Sequence, residues 1–226
     1  MESISQTQIP GGWSDREVAV GPHRFCLWTP TDPDAVLEKL EHPGAGARPQ
    51  FVDPYWAKLW PAAPLLAEAI VRKPPPRGTR VLELGCGSGL VGIAALACGL
   101  EVTFSDYVPF AVELALENAA RNGFRHGRGL VLNWRSDLSV SETRFPWIVA
   151  ADVTYDRSNL GPLLDVLDRL LAPAGVAWFG DAGRGPAEEF VACASDRGWR
   201  VGLFDEQDHK VAAPVIGRFQ RIVLRK

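Results

Sequence analysis

The stretch LELGCGSGLVG, Leu82–Gly92, decides the fold of this 226-residue chain. Its four glycines can be read in two registers. From Gly87 they spell G-x-G-x-x-G (Gly87, Gly89, Gly92), the dinucleotide fingerprint. From Glu83 they spell E-x-G-x-G-x-G (Glu83, Gly85, Gly87, Gly89). In both registers an apolar strand, Arg80–Leu84, enters a loop whose backbone can approach a ligand closely, and the loop opens a helix, Leu90–Cys98. So many glycines exceed what a structural strand–helix turn with Asp106 as an N-cap would need, and a nucleoside-type ligand is expected.

Downstream the same alternation continues. Strands are expected at Glu101–Ser105, Gly129–Asn133, Trp147–Ala151, Val176–Gly180, Trp199–Phe204 and Phe219–Leu224. Helices are expected at Phe110–Asn122, Leu160–Leu171 and Pro186–Arg197. Near-continuous apolar strands separated by helices imply a parallel sheet covered on both faces. The last two strands have no helix between them, so an antiparallel last strand is expected. The reading is α/β: a seven-strand, doubly wound sheet, mostly parallel, with its ligand outside the strands' carboxyl ends.

Upstream, Trp60–Arg72 reads as a helix with Pro61 and Pro64 in its first turn, where a missing N–H costs little. KPPPRG then breaks the chain. Residues 1–54 read as a small elaboration and residues 55–226 as the ligand-binding domain. Within the elaboration, Val18–Val20 and Arg24–Trp28 flank Gly21-Pro22 as a possible hairpin. Asp34–Glu41 has a short helical pattern, followed by a loop through Pro49.

Composition narrows the function. The chain is 46% hydrophobic and 23% charged with a net charge of −3, ordinary for a globular protein. No general attraction to nucleic acid or an anionic membrane follows from that balance. Cys26, Cys86, Cys98 and Cys193 form no C-x-x-C pair and no metal site is expected, so they read as reduced thiols. The N-terminus lacks a basic start with an apolar core, and no run of about 18 apolar residues is present. A cytoplasmic, monomeric protein is the expectation.

Three features choose the register. Glu83 at the strand end would repel a pyrophosphate, yet it can hold a cationic amine or organise the loop. The dinucleotide register would also place Glu83 and Gly85 inside the strand, where glycine is unfavourable. Asp106, closing TFSD, can accept two hydrogen bonds from ribose hydroxyls, which either nucleotide would offer. Together these favour the E-x-G-x-G-x-G pattern, one used for S-adenosylmethionine. The rivals are a nicotinamide-dependent oxidoreductase and a non-catalytic cofactor-binding module.

From about Tyr55 to Gly185 the chain resembles class I S-adenosylmethionine-dependent methyltransferases, and within them the family 16 group rich in protein lysine methyltransferases. VLELGCGSGLVGIAA resembles the first motif and VTFSD the ribose-binding acid. YWAKLWPAAPLLAEAI resembles the helix with a tryptophan near the cofactor, matched by Trp60. LVLNW resembles the stretch whose tryptophan lies beside adenine, matched by Trp134. AADVTYD resembles the D-x-x-Y motif, with Asp152 and Tyr155 in the paired positions.

The resemblance implies S-adenosyl-L-methionine as cofactor, held by Trp60, Glu83, Gly85, Cys86, Gly87, Gly89, Asp106, Asn133, Trp134 and Ala151. It implies Asp152 and Tyr155 as the pair that handles the acceptor, most simply a lysine of a protein substrate, with a small amine or pyridine-like nitrogen as the alternative. Each residue also has a plainer reading. Trp60 and Trp134 can be core, and Asn133 can simply end its strand. Asp152 can cap the helix after it while Tyr155 packs. Asp137 can bond adenine or lie in a solvated turn. Asp181 and Arg184 can contact substrate or pair with each other in a surface turn. His23, His42, His126 and His209 read as solvated.

Overall fold

The computed structural model describes residues 9–41, 54–136 and 143–226. Chain order is β1 (Trp13–Val20), β2 (His23–Pro30), α1 (Pro33–Glu41), a 3₁₀ turn (Pro54–Ala57), α2 (Ala62–Arg72), β3 (Arg80–Leu84), α3 (Leu90–Ala97), β4 (Glu101–Asp106), α4 (Pro109–Arg121) and β5 (Arg128–Val131). It continues with β6 (Phe145–Ala151), a 3₁₀ turn (Arg157–Asn159), α5 (Leu160–Leu170), β7 (Leu171–Asp181), α6 (Ala187–Asp196), β8 (Arg200–Phe204), β9 (Lys210–Val211) and β10 (Gln220–Arg225).

The main sheet has the order β5-β4-β3-β6-β7-β10-β8-β9. Strands β3 to β7 pair in parallel, and β10 runs antiparallel to both β7 and β8. The seven expected strands are present. The eighth, β9, is a two-residue extension of the β8 edge, too short to leave a periodic pattern. From β3 the chain builds outward through β4 and β5, then returns to lay β6 on the other side of β3. That reversal opens a crevice at the carboxyl ends of β3, β4 and β6.

Strand periodicity divides the core into two layers. Val81, Trp147 and Val149 face α2, α3 and α4, whereas Leu82, Leu84, Ile148 and Ala150 face α5 and α6. Alternate residues of one strand thus serve opposite faces, which is why these strands read as continuous apolar runs.

The N-terminal strands form a two-stranded antiparallel sheet that turns at Gly21-Pro22, longer than expected because exposed polar residues such as Glu17 and Arg24 alternate with Val18, Val20, Phe25 and Leu27. Those four apolar side chains lie in the same core layer as α2 and α3. The exposed edge of β2 is met by two asparagines one turn apart on α4. Asn122 exchanges hydrogen bonds with Cys26 N (2.9 Å) and O (2.8 Å). Asn118, fully buried, accepts from Trp28 N at 2.7 Å and donates to Trp28 O and to Ser88 O of the glycine loop. Each amide stands in for a missing strand neighbour, and leaving one such buried group unsatisfied costs about 1–3 kcal/mol.

Candidate active site

The crevice is floored by the glycine loop. Gly85 ends β3 with φ +63°, a conformation that disfavours any side chain, and a Cβ there would stand 2.9 Å from Val153 and 3.4 Å from the Trp134 ring. Gly92 has a different reason: a Cβ would meet Phe104 at 2.3 Å and Glu83 Oε2 at 2.5 Å, so its absence lets α3 press onto the sheet. Glu83 uses that approach. Its Oε2 accepts the Gly92 N–H at 2.9 Å, and burial, opposed by this bond and reinforced by Asp106, pushes its carboxyl up to about 8. Of the two uses open to Glu83, the geometry gives it the organising of the loop.

Asp106 closes β4 beside the loop. Its Oδ2 accepts from Gly87 N at 3.2 Å and its Oδ1 from Val108 N at 3.0 Å. A carboxylate has about four acceptor sites, enough to take ribose hydroxyls beside these N–H groups. Cys86 lies between the two acids, and burial first, then their charge, holds its thiol well above its usual pKa, so it stays protonated. Trp134, half-buried, donates Nε1–H to Asn159 at 3.1 Å and sets its ring edge against Gly85. A Cβ at Gly87 would find no atom closer than 3.7 Å. An aromatic plate, an acid and an open glycine cradle fit S-adenosylmethionine.

The β6 edge is built differently. Asp152 has φ +55°, rare for a side chain with a Cβ, and its N–H extends the ladder to Gly180 O at 2.8 Å. Its carboxylate faces backward along the chain. Oδ2 accepts from Ala62 N at 2.6 Å, capping α2, whose own N-cap Pro61 has no group to do so. Oδ1 pairs with Arg184 Nε at 3.1 Å, and that guanidinium lies 5.1 Å over the Trp60 ring. Burial raises the Asp152 pKa, while the Ala62 N–H and Arg184 pull against it. Tyr155, exposed, stands 5.6 Å from Tyr55, which stands 6.0 Å from Trp60, and the three rings line the same cleft as Asp152.

Of the residues expected from sequence, Trp60, Glu83, Gly85, Cys86, Gly87, Asp106, Trp134, Ala151, Asp152 and Tyr155 line this one cleft. Gly89 lies just behind it, pressed on Ala115 and Phe104, and Asn133 is exposed with its Oδ1 taking the Arg135 N–H. Asp137 and His42 lie outside the described residues.

Two expectations are corrected. Asp152 caps α2, not the helix after it, because the sheet brings the N-terminus of α2 against the end of β6. Asp181 is wholly buried rather than in a surface turn; it accepts from Thr154, Gln220 and the backbone of Gly183 and Arg184, so the Arg184 side chain pairs with Asp152 instead. Tyr55, Lys58 and Tyr107 also line the cleft and were not singled out. Tyr107 directly follows Asp106, a position that could have marked it.

Comparison with known proteins agrees with this geometry. The chain belongs to the lysine methyltransferase family, whose model matches residues 52–189. It is 34% identical to the electron transfer flavoprotein beta subunit lysine methyltransferase of Xenopus laevis, over 59% of this chain and 54% of that protein. It is 34% identical to mouse EEF1A lysine methyltransferase 3, over 54% of this chain and 53% of that one. The chain thus spans about half the length of these curated relatives. Among solved structures, a TehB-like SAM-dependent methyltransferase from Corynebacterium glutamicum has a TM-score of 0.59 at 26% identity, covering 72% of this chain and 87% of that one. S-adenosylmethionine is the cofactor of this fold and family.

Proposed function

We propose that the protein transfers a methyl group from S-adenosylmethionine to the side-chain nitrogen of a lysine in a protein substrate. The observation that carries this reading is the continuity of the cleft. It runs from the glycine loop and Asp106 to Tyr55, Trp60, Tyr155 and Asp152, aromatic rings and a carboxylate in one lining that suit a cationic amine. The relatives' names add support, since both are lysine methyltransferases.

When bound, the cofactor supplies a methyl group already activated on a sulfonium. The chain's own task is approach and orientation. Asp106 takes the ribose hydroxyls, Trp134 lies along adenine, and the loop around Gly85 and Gly87 holds the rest by its backbone. A lysine amine has a pKa near 10.4 and attacks only when neutral. Asp152 holds the incoming ammonium and takes up or passes on its proton, and Tyr155 orients the nitrogen. Arg184 offsets part of the Asp152 charge, so the amine is gripped without being locked in its charged form. A cytoplasmic setting belongs to the same proposal, and the four unpaired cysteines suit a reducing compartment.

The test is incubation with labelled S-adenosylmethionine and a cell extract, followed by mass spectrometry of any labelled band. Label on lysine is the expected result. Label confined to small molecules transfers the assignment to a small-amine acceptor, and no label with intact cofactor binding leaves a binding module.

A further inference from the structure

We propose that Asn159 is a positioning residue for the cofactor: it holds the Trp134 indole in the plane adenine needs, without touching the cofactor itself. The proposal rests on the reading of Trp134 as the adenine platform.

Asn159 occupies the N-cap position of α5, where an asparagine ordinarily accepts a backbone N–H of the first turn. Here it makes no such bond. Asp156 caps the preceding 3₁₀ turn by accepting Ser158 N. The Asn159 side chain, 2% exposed, is turned instead across to the next loop. Its Oδ1 accepts from Trp134 Nε1 at 3.1 Å and from Arg135 Nε at 2.7 Å.

The first of these bonds fixes the ring from its polar edge, and the second holds the acceptor in place. The opposite edge is fixed by the glycine loop, with Cη2 of Trp134 lying 3.4 Å from the place of a Gly85 Cβ. An indole has a single donor, so this bond sets its rotation. Arg135 ties the same loops a second time, through Asp156 Oδ2 and Ser158 Oγ, both at 2.7 Å. The residues that hold the platform therefore come from the segment that follows Asp152 and Tyr155. Asn159 does not line the cleft, so its effect passes through Trp134.

The experiment is calorimetric titration with S-adenosylhomocysteine of the wild type, Asn159→Leu, Trp134→Phe and the double variant. Asn159→Leu keeps the size and removes the acceptor; affinity is expected to fall roughly tenfold, the loss of about one hydrogen bond. Trp134→Phe keeps a ring but has no N–H. In that background Asn159→Leu is expected to cost little more, because the partner is already gone. Asn159→Asp retains an acceptor and is expected to recover most of the affinity. The tryptophan emission lost in Trp134→Phe, obtained by difference, should also shift in Asn159→Leu.

Equal losses in both backgrounds, or unchanged affinity in folded Asn159→Leu, would overturn the proposal. Should that variant not fold, Asn159→Ser, too short to reach the indole, carries the same comparison. If Trp134→Phe and Trp134→Ala both bind as the wild type does, the adenine platform itself is wrong, a result distinct from a failure of Asn159 alone.

Discussion

Two aspartates end neighbouring parts of the same cleft, and they are held in contrasting ways. Asp106 accepts N–H groups from its own turn and from the adjacent glycine loop. Asp152 is bound by Ala62, 90 positions earlier, and by Arg184, 32 positions later. The first is a local device, complete once two neighbouring strands and their loops are in place. The second exists only when α2, β6 and the exit of β7 meet. The half of the cleft proposed for the cofactor thus has its acid held locally, and the acid of the half proposed for the acceptor is held by tertiary structure.

The strongest way to break this comparison is Asp152→Asn. It keeps the shape and the acceptor for Ala62 N but removes the charge. Methyl transfer is expected to fall by about 10²–10⁴-fold, the range for lost proton handling, while S-adenosylhomocysteine affinity changes far less. The loss should shrink as pH rises toward the lysine pKa, since more of the acceptor is then neutral. Transfer at the wild-type rate across pH would remove Asp152 from the chemistry and leave it as the cap of α2.

Asp106→Asn probes the other half. Removing charge-assisted bonds to ribose is expected to weaken cofactor binding by about 1.5–3 kcal/mol, roughly ten- to more than a hundredfold. Calorimetry reads this directly. Unchanged affinity in a folded variant would mean that the ribose lies elsewhere.

The effect at Glu83 is of another kind, and it is read in stability. Its carboxyl is raised from 4.5 to about 8 by burial, so the folded chain keeps a proton that the unfolded chain releases. That stabilisation is full below the unfolded value of about 4.5 and is lost as pH climbs to about 8. Glu83→Gln keeps an acceptor for Gly92 N and cannot ionise. Its Tm relative to wild type should therefore improve steadily from about pH 5 to about pH 8. Parallel curves would show that Glu83 titrates normally.

The same contrast explains what could be read in advance. The strand–loop–helix at Arg80–Ala97 and the acid at Asp106 lie within one short stretch, and their pattern is itself the structure. The seven strands were legible for a related reason, each being a largely apolar run between breakers. The pairing of Asp152 with Arg184 has no local trace: Arg184 sits three residues from Asp181, and adjacency suggested a pair that the sheet does not make. The asparagines of α4 were equally silent. Asn118 and Asn122 look like ordinary polar residues of an amphipathic helix until β2 is laid against them. Asn159 looks like a helix cap, and its real partner lies on another loop.

The antiparallel strand β10 has a consequence for the order in which the protein is made. It lies between β7 and β8, with every residue but its last buried. A ribosome delivers β7 and β8 before β10. During that interval the two earlier strands cannot pair with each other in their final places, and each carries an open edge with apolar residues beside it. The nascent chain is therefore exposed to clumping in the interval between the delivery of β8 and that of β10. The arrival of Gln220–Arg225 closes both edges in a single step.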